Sequence, residues 1–262
     1  MKTHPQRFFL VTFVITWFFW WAIVISGLQI SQMPAPLLFA IAGASPAISA
    51  VYLIYSSRDR KQIQDFWHRA FSIRRPGIKY LIISLFLAPL LLLAAGYFDK
   101  ALGGVGFSID ARFQANVFSL IPFAVFTLFF GPLPEELGWR GYALDGLLSR
   151  FNALKSSLIL GVIWTLWHVP LFFIQGSYQN SLPVGSAIFW LFLIDKLLQT
   201  ILMTLIYQRS NRSTLTAILF HFAVNFSGEI FSLTDRATLI LILFWILAAL
   251  FAAITIMRQE KR

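Results

Sequence analysis

Long apolar stretches separated by short polar connections dominate the hydrophobic pattern of this chain. A helix needs about 20 apolar residues to cross the hydrocarbon core of a bilayer, and most of the stretches reach that length. They cover residues 8–27, 36–55, 78–97, 116–148, 155–174, 186–207, 213–231 and 237–257. The pattern predicts an all-α, polytopic membrane protein with about eight transmembrane helices, forming a single membrane domain over residues 1–262.

The fourth stretch, 116–148, is too long for one simple span and contains the sequence Gly-Pro-Leu-Pro at residues 131–134. Proline removes a backbone donor and clashes with the preceding helical turn. We therefore expect the helix to kink or break at this point.

The composition agrees with burial in lipid. Hydrophobic residues make up 58% of the chain and charged residues only 12%, and cysteine is absent; a soluble domain carries about a quarter charged residues. The lack of cysteine excludes disulfides, thiolate metal ligands and a cysteine nucleophile. A net charge of +10 would suggest nucleic acid as the partner of a soluble protein. Here the basic residues fall mainly in connections between apolar stretches, so we expect membrane lipid and no nucleic acid.

The distribution of lysine and arginine predicts the orientation, because cytoplasmic loops are enriched in both. The segment 56–79 and the C-terminal tail are strongly basic, whereas the connections 28–35 and 175–185 contain no lysine or arginine. Alternate connections segregate by charge in this way along the chain. Both termini are therefore expected in the cytoplasm, which requires an even number of spans.

Three groups of polar residues lie inside the apolar stretches, where an ionisable side chain costs about 2.5–3.5 kcal/mol on insertion scales. Such residues are candidates for function, and those of the three groups could meet in the inner half of the bilayer. The groups are Glu135, Glu136 and Arg140; Trp164 and His168; and His221 and Asn225.

Each group has a plainer explanation when it is taken alone. Glu136 and Arg140 are four residues apart and would pair on a helix, leaving Glu135 without a local partner; the segment could also be a helix end at the cytoplasmic interface. The other two groups could serve hydrogen bonding between helices, a common use of His and Asn in membranes. An acid, a base and hydrogen-bond donors on three different stretches together favour an active site.

Three further polar residues receive no role from the sequence. Asp195 and Lys196 lie in the middle of the sixth stretch, 186–207, and adjacent helical residues point to different faces. We expect that they do not simply neutralise each other and that they could pair with the Glu136 and Arg140 group. Glu229 continues the face of the third group near the outer end of its stretch.

The three groups, in this order, resemble the CPBP family of intramembrane peptidases. This family includes type II CAAX prenyl endopeptidases and bacterial proteins linked to bacteriocin self-immunity. Its hallmark is E-E-x-x-x-R, then an aromatic residue with x-x-x-His, then H-x-x-x-N or D. The resemblance covers a motif-bearing core of roughly residues 115–230, and Trp164 stands where phenylalanine is more usual. It implies an eight-helix fold with a site facing the cytoplasm, in the plasma (inner) membrane of a prokaryote.

The resemblance also implies a role for each motif. Glu135 and His168 would activate the attacking water, His221 and Asn225 would stabilise the oxyanion, and the predicted ion pair would support the site. Amide hydrolysis needs a base, an acid for the leaving amine and donors for the developing charge. We therefore expect an intramembrane endopeptidase that acts on a peptide or protein substrate.

The sequence leaves open whether the site uses a metal cofactor. Members of this family have been described as metalloproteases, and Glu135, His168 and His221 are residue types that could hold zinc. The H-E-x-x-H zinc motif is absent, however. We favour a glutamate-dependent mechanism without a cofactor and keep zinc as an alternative.

Two other functions share some of these features. Broken helices and midplane charges also mark transporters, although the two halves of this chain show no paired interrupted segments. A catalytically idle immunity or scaffold protein is the second alternative. The sequence does not identify the substrate.

Overall fold

The computed structural model describes residues 3–260, and its architecture in that range is predominantly helical. The helices are α1 (Pro5–Ser26), α2 (Ala35–Gly43), α3 (Ser45–Ser56), α4 (Arg60–Phe71), α5 (Ile78–Ala101), α6 (Ala111–Ala115), α7 (Leu120–Phe129), α8 (Pro132–Gly138), α9 (Leu144–Leu148), α10 (Ala153–Trp167), α11 (Ala187–Arg209), α12 (Thr214–Ile230) and α13 (Asp235–Glu260). Two short strands, β1 (Phe107–Ile109) and β2 (Phe231–Leu233), pair antiparallel with Phe107 opposite Leu233.

Six helical segments in the described part of the chain are long and apolar enough to cross a membrane, or seven if α2 and α3 form one span with a 47° bend. These seven coincide with seven of the eight apolar stretches. The remaining stretch forms α12, which has only 17 residues. The all-α, polytopic architecture is confirmed, while the number of eight spans and the cytoplasmic termini stay predictions.

The fourth stretch is interrupted where the prolines predict it. Helix α7 ends at Phe129, Gly131 has a non-helical backbone (φ −148°, ψ −93°), and α8 begins at Pro132. Proline is tolerated in the first helical turn because its missing N–H would have no partner there. After α8 the helix widens into a π-type turn over Trp139–Ala143. Such turns insert an extra residue and occur frequently at functional sites.

Helix α4 is a short amphipathic helix that follows the second predicted span. Its Arg69 side chain is fully buried and lies 2.9 Å from the Asp145 carboxylate of α9. Arg69 also donates to the Tyr207 hydroxyl of α11 at 2.6 Å and to the Gly141 carbonyl at 2.8 Å. Because Gly141 belongs to the π-type turn, this arginine ties α4 to the segment that follows the E-E-x-x-x-R motif.

A second carboxylate, Asp65 on α4 itself, also pairs with Arg69. Asp65 lies 2.9 Å from Arg69 and 2.9 Å from Arg75. Burial opposes ionisation of Asp65, but the two guanidinium groups outweigh it and hold the pKa of Asp65 below its ordinary value. The carboxylate therefore stays charged at neutral pH and holds Arg69 in place, while the ion pair between Arg69 and Asp145 fastens α4 to α9.

Candidate active site

The indole ring of Trp164, on α10, lies at the centre of the three motifs. Its Nε1–H donates to Glu135 Oε2 at 2.8 Å. The centre of the ring lies 5.5 Å from that of His168 and 5.2 Å from that of His221, and the Arg140 guanidinium is 4.9 Å away. The structure thus brings together residues of α8, α10 and α12. The partner of Glu135 is therefore Trp164, the aromatic residue of the second motif.

The predicted pairing of Glu136 with Arg140 is confirmed. Arg140 Nη1 donates to the two Glu136 oxygens at 2.8 and 3.0 Å, and both side chains are fully buried. Arg140 Nη2 also donates to the Thr200 hydroxyl of α11 at 3.2 Å. On its other side, Glu136 Oε1 lies 2.9 Å from His221 Nδ1. Glu136 therefore holds both the arginine and the imidazole, and it leaves His221 Nε2 as the ring nitrogen available to a substrate.

His168 is positioned by the end of α10. The helix ends at Trp167, and a 3₁₀ turn containing Pro170 follows, because proline cannot continue the hydrogen bonding of an α-helix. His168 Nδ1 lies 2.7 Å from the Trp164 carbonyl oxygen. A carbonyl oxygen can only accept, so Nδ1 carries the proton of the neutral ring and Nε2 is the acceptor. This is the tautomer that a general base requires.

Asn225 lies one turn beyond His221 on α12, on the same helical face, as predicted. Its side chain is half-buried, and its Nδ2 lies 3.7 Å from the point where a β-carbon on Gly131 would stand. Gly131 is the break between α7 and α8, four residues before Glu135. The amide therefore faces the break that precedes the E-E-x-x-x-R motif, and all three motifs contribute side chains to one region.

The structure corrects the expectation for Asp195 and Lys196. They form an ion pair with each other, since Lys196 Nζ lies 3.7 Å from Asp195 Oδ2. Asp195 also accepts from Gln199 at 2.5 Å. The contribution of α11 to the buried Glu136–Arg140 pair is instead Thr200, whose neutral hydroxyl accepts from Arg140. The expectation was wrong because a long, flexible lysine side chain can fold back towards a neighbour whose Cβ points elsewhere.

Glu229 has a separate, exposed partner. Its Oε2 lies 3.4 Å from Arg112 Nη2, and 44% and 58% of the two side chains are exposed. Exposed ion pairs of this kind contribute little to stability. Glu229 therefore pairs at the surface, near the outer end of α12.

The three candidate zinc ligands do not form a ligand set. Among residues 3–260, no three His, Cys, Asp or Glu side chains are placed so that they could hold one metal ion. A structural or catalytic zinc site needs three or four protein ligands converging at about 2 Å. As placed, the side chains of Glu135, His168 and His221 do not fit a zinc ion.

Two comparisons with known proteins agree on the family. A family model described as type II CAAX prenyl endopeptidase Rce1-like matches residues 117–227, which contain all three motifs. The CAAX prenyl protease 2 of Methanococcus maripaludis is 31% identical over 249 residues, covering 91% of this chain and 89% of that protein. The similarity extends over nearly the whole of both chains and confirms the resemblance seen in the motifs. The chain belongs to the type II CAAX prenyl endopeptidase family and is an integral membrane peptidase.

Proposed function

We propose that this peptidase cleaves a prenylated CAAX C-terminus within the membrane, with Glu135 as the base that activates water. The names of the family and of the relative supply the substrate class. A CAAX motif ends a chain and carries its lipid on the cysteine, so a site among membrane helices suits a substrate that its lipid anchors. The observation that carries the proposal is the 2.8 Å hydrogen bond from Trp164 to Glu135 Oε2. It orients the carboxylate and leaves Oε1 to accept a proton.

The first chemical step is attack by water. Glu135 Oε1 takes one proton while His168 Nε2 accepts the other hydrogen of the water as a hydrogen bond and holds the molecule in place. The water oxygen bonds to the carbonyl carbon of the substrate. When the C–N bond breaks, the proton held by Glu135 passes to the leaving amine, so the carboxylate is regenerated.

The developing negative charge needs donors that are in place before the reaction. His221, held through Nδ1 by Glu136, and the Asn225 amide come from the same face of α12, and we assign them to the carbonyl oxygen of the tetrahedral intermediate. Such donors act strongly in a site from which water is excluded. Glu136 and Arg140 act indirectly, because they hold His221 and the start of the π-type turn.

The substrate proposal is tested with purified protein in proteoliposomes. A peptide that ends in a farnesylated CAAX motif should lose its last three residues, because the cut falls after the lipid-bearing cysteine. The same peptide without the farnesyl group should react much more slowly, since it lacks the lipid that concentrates it in the membrane. Equal cleavage of the two peptides would contradict a prenylated substrate. Absence of cleavage in both would favour the idle scaffold alternative.

Replacing the amide of Asn225 tests the oxyanion assignment. Asn225→Ala should lower kcat by about a hundred- to a thousand-fold with KM nearly unchanged, because the lost donor acts mainly on the transition state. Ser227→Ala is the matched control on α12, since Ser227 donates to the Ala223 and Val224 carbonyls of its own helix at 2.7 and 3.3 Å. Steady-state kinetics on the farnesylated peptide measure both. Similar turnover in the two variants would remove Asn225 from the mechanism.

We also propose that both termini and the mouth of the site face the cytoplasm of a prokaryotic cell, with the protein in the plasma membrane. The support is the charge of the connections, which are basic on one side of the predicted spans and nearly free of lysine and arginine on the other. A reporter enzyme fused after α13 should be active only inside the cell. Activity only outside would contradict this orientation.

A further inference from the structure

Lys196 is a buried cation close to the site that the proposed mechanism does not use. Only 10% of its side chain is exposed. Its Nζ lies 5.5 Å from the centre of the Trp164 ring and 5.1 Å from that of Phe192. The same Trp164 ring donates to Glu135 from its Nε1 edge. A positive charge is therefore held one indole ring away from the carboxylate that activates water.

The ammonium of Lys196 is poorly supplied with acceptors. The Asp195 carboxylate lies 3.7 Å from Nζ, beyond hydrogen-bond distance, and already accepts from Gln199 at 2.5 Å. An ammonium has three donors, so beside this one loose ion pair it can still bind a further acceptor. The two aromatic rings attract the charge but accept no conventional hydrogen bond. The Lys196 ammonium can therefore bind an anionic group of a ligand.

A CAAX substrate brings one such group, its C-terminal carboxylate. Cleavage after the cysteine places that carboxylate three residues from the broken bond, about 10 Å away in an extended chain. The Trp164 indole binds Glu135 at its Nε1 edge and Lys196 near its face. Because both contact the same ring, Lys196 Nζ and the Glu135 carboxylate lie within about 10 Å of each other, a distance that the last three residues of the substrate can span.

We propose that Lys196 binds the C-terminal carboxylate of the substrate and so selects peptides that end three residues beyond the cleaved bond. The inference rests on the proposed function. A charge-assisted hydrogen bond is stronger than a neutral one, and the buried surroundings of Lys196 increase its strength. Lys196 acts in this way as a specificity determinant, at a distance from the reacting atoms.

The test compares two farnesylated CAAX peptides, one ending in a free carboxylate and the other in a carboxamide. Wild type should cleave the acid about 10- to 100-fold more efficiently in kcat/KM than the amide, mainly through KM, because the amide lacks the charge that Lys196 binds. Lys196→Met should lose a similar factor on the acid and treat the two peptides alike. Lys196→Arg should restore the preference for the acid.

Two further variants separate this effect from general damage. Trp164→Phe keeps a ring beside Lys196 but removes the donor to Glu135, so it should lower kcat for both peptides and preserve the preference. If Lys196→Met does not fold because it strands the Asp195 carboxylate, the double variant Asp195→Asn/Lys196→Met removes both charges and allows the same comparison.

The outcomes distinguish this inference from the proposed function. Equal cleavage of acid and amide by wild type, or an unchanged preference for the acid in Lys196→Met, would overturn the role of Lys196 and leave the peptidase proposal intact. Failure of wild type to cleave either peptide would overturn the proposed function and the role of Lys196 with it.

Discussion

The Glu135→Gln variant should cleave the farnesylated peptide about a hundred- to ten-thousand-fold more slowly than wild type, the range that a general base typically contributes. Glutamine has the size of glutamate, and its amide oxygen can still accept from Trp164 Nε1, so the fold should be preserved. What it cannot do is take a proton from water. The loss should therefore appear in kcat rather than in KM.

Two measurements make this result interpretable. Thermal unfolding of the purified variant should match that of wild type, which shows that the lost activity is not lost structure. Glu229→Gln is the matched control, because Glu229 pairs with Arg112 at the exposed end of α12, and its turnover should remain near the wild-type value. Normal cleavage by a well-folded Glu135→Gln protein would show that another group activates the water.

A chelator complements the Glu135 variant. A glutamate-dependent enzyme should keep its activity after prolonged chelation, because no step passes through a bound ion. Activity that falls on chelation and returns with added zinc would contradict this mechanism and favour the zinc alternative.

The second large effect is expected on stability. Arg140→Ala should cost about 3–5 kcal/mol of unfolding free energy, because it leaves the buried carboxylate of Glu136 without its arginine partner. The hydrogen bond to Thr200 is lost as well. Unfolding of the detergent-solubilised protein by a denaturant, together with the folded yield from membranes, measures the change.

The matched control for Arg140→Ala lies in the same contact. Thr200→Val removes one neutral acceptor of Arg140 and retains its ion pair with Glu136, so it should cost only about 1 kcal/mol. Glu135→Gln should also be nearly as stable as wild type. If Arg140→Ala is no less stable than Thr200→Val, the buried pair does not have the structural role assigned to it.

Much of the architecture could be predicted because lipid is a restrictive solvent. With no water to satisfy backbone polar groups, an apolar stretch of span length must be helical, and seven of the eight stretches correspond to candidate spans. The break before α8 was predictable for a similarly local reason, since proline cannot continue the hydrogen bonding of α7. The pairing of Glu136 with Arg140 follows from a spacing of four residues on one helix.

The contacts between helices could not be predicted in this way. The Trp164 hydrogen bond to Glu135 joins residues 29 positions apart, and that of Arg140 to Thr200 joins residues 60 apart. Each depends on how far a helix is rotated and tilted against its neighbours. Packing sets those angles, and hydropathy along one chain does not encode them.

The sequence by itself determined a polytopic helical membrane protein, the position of its helix break and the three polar groups that we propose as its site. The tertiary structure alone decided that Trp164 orients Glu135, that His221 is held by Glu136, and that Lys196 pairs loosely with Asp195 beside the Trp164 ring. Span-length apolar stretches and the proline break are properties of a single helix in lipid, so they can be recognised in the sequence. Partners across helices follow only from the packing of several helices together, because that packing places side chains distant in sequence within hydrogen-bond reach.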